Sequence, residues 1–498
     1  MAAEAQLVPR DETLARNQVS LLGAIMAGSV QVAPAFNVMF TVGLIAGTVG
    51  AAVPLVMVLA GLGVLATGNS FSQFSRLWPS AGSFVTFISR SVGPRAALVV
   101  AVTAILGYII AFSGVYVFVA NYILTELFGS PHVSGLLQLV TILYGILVVV
   151  PVILGVRVGL RLAIALYVFE IVILAIFVVA VLVQGGIHGL SGTPFTTGGL
   201  GLKTVALGFA LAFFAYGGFE APAPLAEETQ NPRRNVPVAV LTAIVISGIV
   251  YVLSAYALVE AFSTPAKLAS DSAPVVTAAH KFVPFVAPIA VWLLLTSVTS
   301  SFLAANTETA RVVFNAGREG LLPHGVARVQ ERFRTPWVAV IAFVAPSVII
   351  GLISTAFTDP ITASGFLGTY GSLGFIFMYL ATNLALVVNW FRERNRGESH
   401  NPVTWILVPL IGALVLLIPF WGDFQPGQQS PYNLLPWLFA GLIALGIVYM
   451  LFVQVARPSL LARAGTIIMG EDAGTPDEEP EVVPNPVEAT QTFPPAAP

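Results

Sequence analysis

The chain has 498 residues, no cysteine, 57% hydrophobic and 9% charged residues, and a mean hydropathy of +0.89. A soluble domain carries roughly 25% charged residues, so most of this chain does not meet water; disorder of its bulk, a disulfide scaffold and a cysteine-ligated metal centre are excluded. The net charge of −2 leaves no polybasic footprint for nucleic acid, and it is unevenly spread: residues 471–498 hold seven acidic and no basic residues, against 22 basic and 17 acidic over the first 470.

A helix crosses the hydrocarbon core in about 20 mostly apolar residues, and twelve stretches reach that length. In chain order they are 20–45, 47–75, 95–127, 132–154, 160–184, 204–226, 236–262, 284–318, 337–357, 361–391, 403–421 and 433–456. Strands of a membrane barrel alternate over about 10 residues, so the reading is an all-α polytopic membrane protein in a lipid bilayer. Arg10, Asp11, Glu12 and Arg16 precede a long apolar run, which makes the first span retained rather than a cleaved signal.

Twelve spans place both ends on one side, and Lys and Arg in the short loops say which. All 19 arginines fall on the side of the termini, counting Arg311 near the end of the eighth span. Lys203, Lys267 and Lys281 fall on the other. Both termini are therefore expected in the cytoplasm, with the chain in the cell's inner (plasma) membrane. Four regions result: a cytoplasmic segment 1–19, a core of ten helices over 20–391, two further helices over 392–456, and an acidic, Pro-rich cytoplasmic tail over 457–498. The tail reads as disordered, either simply solvated or a docking segment for a cytosolic regulator.

Irregular backbone survives at membrane depth only where it is covered by protein or lines a cavity. Two spans carry interruptions. The first contains "AGSVQVAPAF" (27–36), and the sixth contains "FFAYGGFEAPAPLAEE" (213–228). Pro removes an amide donor and Gly weakens the helix. Breaks opening spans one and six, five helices apart, give the pattern of a five-plus-five inverted repeat whose halves each begin with a discontinuous helix.

Three motifs then carry a resemblance. "FFAYGGFEAPAPLAEETQNPRRNVPVAV" (213–240) resembles the span-six signature of the amino acid–polyamine–organocation (APC) transporter superfamily. "TETARVVFNAGREGLLPHGVARVQERFRTPWVAV" (307–340) resembles its span-eight signature, with Arg311, Arg318, Gly320, Pro323, Thr335 and Pro336 in register. "FSRLWPSAGSFVTFISRSVG" (74–93) is similar to the loop after its second span. The resemblance covers roughly residues 18–456. It implies a LeuT-like five-plus-five fold, a substrate site between spans one, three, six, eight and ten, and secondary active transport.

By the same resemblance, the span-one turn that commonly binds a substrate carboxylate corresponds to Ala27, Gly28, Ser29 and Gln31, with one glycine where two are usual. Gln31 either bonds the ligand or is satisfied by the broken helix itself. Phe214 stands where relatives often have a substrate-capping Trp. With Tyr216, Gly217 and Gly218 it completes the expected substrate contacts.

Carboxylates inside spans are costly, by about 2.5–3.5 kcal/mol on insertion scales. Glu220 follows the span-six break and matches a family position associated with gating and pH response. Glu170 lies about mid-depth in span five, where some proton-coupled relatives place a Lys; here an acid can carry the coupling proton. Glu308 shares a helix face with Arg311 three residues on, so a local ion pair is expected. Glu227 and Glu228, beside Arg233 and Arg234, are expected in an inner gate. Ser300 and Ser301 are a possible sodium site, although such hydroxyls usually bond their own helix.

Histidines 132, 188, 280, 324 and 400 fall in loops, so no metal site or cofactor is expected beyond a proton gradient. No nucleophile–base pair at one depth points to an enzyme. The leading reading is proton-coupled import of an amino acid or amine by alternating access. An exchanger is a second reading, and a solute sensor on a transporter fold is a third.

Overall fold

The computed structural model describes residues 14–129 and 135–458. The acidic tail from 459, most of the segment 1–19 and His132 lie outside the described residues. Nineteen α-helices run through the described chain, and no strand forms beyond one isolated parallel bridge between Val19 and Thr229. Ten helical stretches are long and apolar enough to cross a membrane.

The first stretch, Leu21–Leu77, covers two of the spans expected from the sequence. It holds α1 (Leu21–Gln31), α2 (Pro34–Phe36), α3 (Val42–Val49) and α4 (Val53–Leu77). α1 starts under Ser20, whose side chain accepts from the Gly23 amide, and stops at Gln31. Ala33 takes a left-handed φ of 48°, and Pro34, with no amide proton, starts the next segment. A π-helical turn over Asn37–Thr41 leads into α3. After α4 come the short α5 (Phe84–Ser91), then α6 (Pro94–Tyr122), α7 (Leu136–Ile153) and α8 (Val156–Val183).

α9 (Leu202–Ala215) has 14 residues and fills only the first half of the sixth expected span, 204–226. Residues 216–225 form consecutive turns, followed by a 3-10 turn over Ala226–Glu228. Gly217 and Gly218 weaken the helix, and Pro222 and Pro224 remove two amide donors. Helix resumes at α10 (Pro232–Ala261).

α11 (Pro265–Ser270) and α12 (Pro274–Phe282) lie between spans; α13 (Ala287–Ala290) leads into the long α14 (Leu293–Arg318). α15 (Trp337–Ser354), α16 (Pro360–Asn395), α17 (Val408–Val415), α18 (Leu417–Asp423) and α19 (Leu435–Ala456) complete the bundle. His280 sits on α12 rather than in a loop.

The closest helix pair is α6 against α16. A Cβ on Gly107 would stand 2.7 Å from the Gly371 carbonyl and 2.8 Å from Gly374 Cα, and one on Gly371 would overlap the Ala111 amide. Backbones approach this closely in membranes only through such small residues. The pair brings Tyr108 of α6 and Tyr379 of α16 together behind the interrupted segments.

Candidate substrate cavity between the two interrupted helices

The chain breaks after α1 and after α9 meet in the middle of the bundle, and two side chains, one just past the first break and one from α10, satisfy their freed carbonyls. Asn37 Nδ2 donates to Val32 O at 2.7 Å and lies 3.2 Å from Ala215 O. The Tyr251 hydroxyl, from α10, lies 2.6 Å from Val32 O and 2.7 Å from Ala215 O. One hydroxyl and one amide thus bridge the end of α9 to the break after α1. Neither residue was singled out in the sequence, because nothing in the local pattern ties a Tyr on α10 to breaks far away in the chain.

Beside this junction lies a cavity of about 130 Å³. Its polar edge is formed by Gln31, the backbone at Val32 and Ala33, Gly217, Gly218 and Ser301. Tyr108 and Tyr379 stand on the α6 and α16 side. The remainder is apolar, chiefly Phe36, Phe112, Phe214, Phe302 and Phe375. Phe214 is 38% exposed and its ring lies 6.1 Å from that of Phe375. Gly218 has a φ of +106°, and a Cβ there would meet Gln31 Cγ at 2.6 Å. Only glycine fits both the backbone and the space.

Three buried carboxylates surround the cavity, and none forms an ion pair among the described residues. Glu170 reaches from α8 to the break, where its Oε2 accepts from the Ala35 amide at 3.3 Å; its Oε1 has no partner. Next to it, Ser297 Oγ accepts from the Phe36 amide at 3.1 Å. Glu220 accepts from the hydroxyls of Tyr108 and, at 2.6 Å, Tyr379. Glu308 accepts from Gln31 Nε2 at 2.5 Å.

That last bond corrects the expected Glu308–Arg311 pair. Arg311 is instead forked onto Glu228, with Nε at 2.6 Å and Nη2 at 3.2 Å, and its Nη1 donates to Thr307 O. A bidentate fork outweighs the single contact that an i,i+3 neighbour on one helix offers. Glu228 is thereby engaged from α14, and so is its neighbour. Glu227 pairs with Arg318 at 2.5 and 3.0 Å and accepts from the Ala81 amide. Both acidic residues thus meet arginines of α14. Burial would raise the Glu227 carboxyl, but the Arg318 guanidinium holds it below the ordinary carboxylate range. The same end is tied further by Val19 donating to Glu228 O and Gln230 donating to Val19 O, each at 2.9 Å.

The other expected contacts divide. Gln31, Phe214, Gly217, Gly218 and Ser301 border the cavity. Ala27, Gly28 and Ser29 do not. Ala27 belongs to a small apolar cluster with Val156, Leu225 and Ala239. Gly28 is packed against Ala243, Phe219 and Pro222, and Ser29 is fully buried. The wall is displaced toward the end of α1 because close packing on α10 fills the space beside Gly28. Tyr216 also turns away: its hydroxyl donates to Met57 O at 2.9 Å and its ring meets Tyr251 edge-on. Ser300 donates to Ser297 O at 2.9 Å, within its own helix, whereas Ser301 donates to Gln31 O at 2.6 Å across the break.

The chain matches the amino acid permease family over residues 22–453. It belongs to that family, and with it to the APC superfamily. The permease is 24% identical over 450 residues to the low-affinity putrescine importer PlaP of Escherichia coli strain K12, covering 87% of this chain and 94% of that one. It is 25% identical over 424 residues to the branched-chain amino acid permease BcaP of Bacillus subtilis strain 168, covering 81% and 86%. It is 24% identical over 421 residues to cationic amino acid transporter 5 of Arabidopsis thaliana, covering 80% and 70%. The apolar helices and the family together make it a multi-pass membrane protein.

Proposed function

We propose that the permease is a secondary active transporter that imports an amino acid or amine by alternating access, driven by the proton gradient across the plasma membrane. In this reading the ten apolar stretches amount to twelve crossings. Leu21–Leu77 contributes two, and α9 with the turns after it contributes another. The first and sixth crossings are the interrupted openings of two inverted five-helix repeats, and both termini face the cytoplasm, a reading the arginine distribution supports.

The observation that carries the proton-coupled reading is the place of Glu170. Its carboxyl sits on the first free amide after the span-one break, with one oxygen unpartnered. A proton gained or lost there changes the charge at the joint between two half-helices beside the cavity. The second supporting feature is closure at one end. The pairs Glu228–Arg311 and Glu227–Arg318 lie where α1 begins and α14 ends. The lining residues run the other way, from Tyr108 to Val115 on α6 and from Tyr379 to Gly368 on α16. We read this as a cavity sealed toward the cytoplasm. The engagement of Ser300 and Ser301 by protein carbonyls favours a proton over sodium.

The test is uptake of labelled amino acids and amines into proteoliposomes, with and without an inward proton gradient or sodium. We expect the proton gradient alone to drive accumulation, and Glu170→Gln to reduce it to equilibration. Uptake that ignores the gradient but responds to solute loaded inside identifies an exchanger and overturns the coupling role of Glu170.

A further inference from the structure

The cavity changes character along its length. Its polar end is the backbone of the two breaks, and Tyr379 stands there, its hydroxyl 3.4 Å from the Gly218 amide. The hydroxyls of Tyr108 and Tyr379 are given to Glu220. Beyond them the wall is apolar and its rings hold one another. Phe112 meets Phe302 edge-on at 4.9 Å, and Phe375 stacks on Tyr108 at 5.4 Å. No Asp, Glu, Lys, Arg or His among the described residues lines the cavity. A charge carried into this part would be buried without a counter-charge, at a cost that the face of a phenylalanine ring does not offset. An apolar group there only leaves water.

The two helices that flank the cavity also give it a length. On α16, Gly368, Phe375 and Tyr379 share one face. At 1.5 Å per residue, Gly368 lies about 10 Å beyond the level of Phe375. Val115 of α6 stands beside it, since a Cβ on the adjacent Gly114 would meet the Gly368 nitrogen at 3.1 Å. Gly368 differs from the other glycines of this helix pair. A Cβ on Gly371 or Gly374 would run into the backbone of α6, whereas one on Gly368 meets nothing within 4 Å. Close packing therefore does not require glycine at 368. What its missing side chain leaves open is part of the cavity.

We propose that the permease accepts a solute with one polar end and an uncharged apolar body, and that Gly368 sets how long that body can be. The polar end lies at the helix breaks, the body runs between the phenylalanines, and the open space at Gly368 takes its tip. This rests on reading the cavity as the transported substrate's site, and the test separates the two claims. Purified full-length protein is assayed with labelled norleucine and labelled hexylamine. Lysine and 1,5-diaminopentane are the matching competitors with a charged tip, and norvaline and butylamine are the shorter ones. Binding is measured in detergent and uptake in proteoliposomes.

We expect norleucine or hexylamine to bind, and its charged-tip counterpart to require at least about tenfold higher concentration to displace it. Gly368→Leu should weaken the long solute at least about fivefold more than its shorter homologue, a ratio that a merely structural role for Gly368 would leave unchanged. Should Gly368→Leu fail to fold, Gly368→Ala should move the same ratio in the same direction by about twofold. Equal displacement by the charged-tip solutes, equal losses for long and short solutes, or no binding of either labelled solute overturns the proposal. Solutes that bind by these rules but are not carried leave it standing and sink the transport reading. Charged-tip solutes that are carried in preference to their apolar counterparts do the reverse.

Discussion

Tyr251 and Asn37 show how individual residues satisfy backbone carbonyls left free where α1 and α9 end. They serve Val32 O and Ala215 O, carbonyls that helix would otherwise satisfy. Removing the hydroxyl in Tyr251→Phe leaves both to Asn37 alone. We expect a loss of about 1–2 kcal/mol, read as a lowered unfolding temperature in detergent; an unchanged transition would show that the bridge contributes nothing. A larger effect belongs to Arg311, which is fully buried against Glu228. Arg311→Met leaves Glu228 as an unpaired buried charge and should cost about 3–5 kcal/mol. Replacing both partners by Met should recover much of that stability. A double variant as unstable as the single one would contradict this. Sequence spacing pointed Arg311 at Glu308 because three residues along a helix share a face. Its partner is supplied by a turn 83 positions away, which no local pattern encodes.

At the scale of elements, the two interruptions were the most legible part of the sequence, since Gly and Pro act on backbone propensity and need no partner to be recognised. What followed them was not. The sixth span was expected to continue to 226, yet α9 ends at Ala215 and turns replace its second half. The exact wall of the cavity was also hidden: Gly28 faces Ala243 and Tyr216 faces Met57, choices made by packing on α10 and α4. The contact of α6 with α16 joins glycines at 107, 371 and 374, in segments that carry no common motif. Gly371→Ala forces a Cβ into the Ala111 backbone. Overpacking of this kind costs about 1–3 kcal/mol. It should lower the unfolding temperature more than Gly368→Ala, where a Cβ meets nothing. Equal effects would show that the two helices move apart freely.

For the whole molecule, in the proposed reading, two ion pairs, Glu228–Arg311 and Glu227–Arg318, close one end of a cavity near which three carboxylates are buried. The absence of native cysteine makes single-cysteine labelling a clean report on access. Ala111→Cys lines the cavity and should react with a membrane-impermeant thiol reagent added from the external side. Adding Arg318→Gln, which frees Glu227, should shift labelling toward the cytoplasmic side. Labelling unaffected by Arg318→Gln would deny the ion pairs a gating role. Because Glu227 is held below the ordinary carboxylate range, its contribution to the closed end is present above that range and is lost as pH falls through its lowered folded value. Acidification alone should therefore mimic Arg318→Gln in the labelling assay. An effect appearing instead as pH rises would contradict the pairing.

Proton movement is the most direct measure of the account as a whole. Proteoliposomes carrying an entrapped pH dye, with no gradient imposed, would receive substrate from outside. We expect the lumen to acidify as substrate enters, and Glu170→Gln to admit substrate without acidification. Substrate entering the unaltered protein's vesicles with no change in lumenal pH would contradict proton-coupled transport.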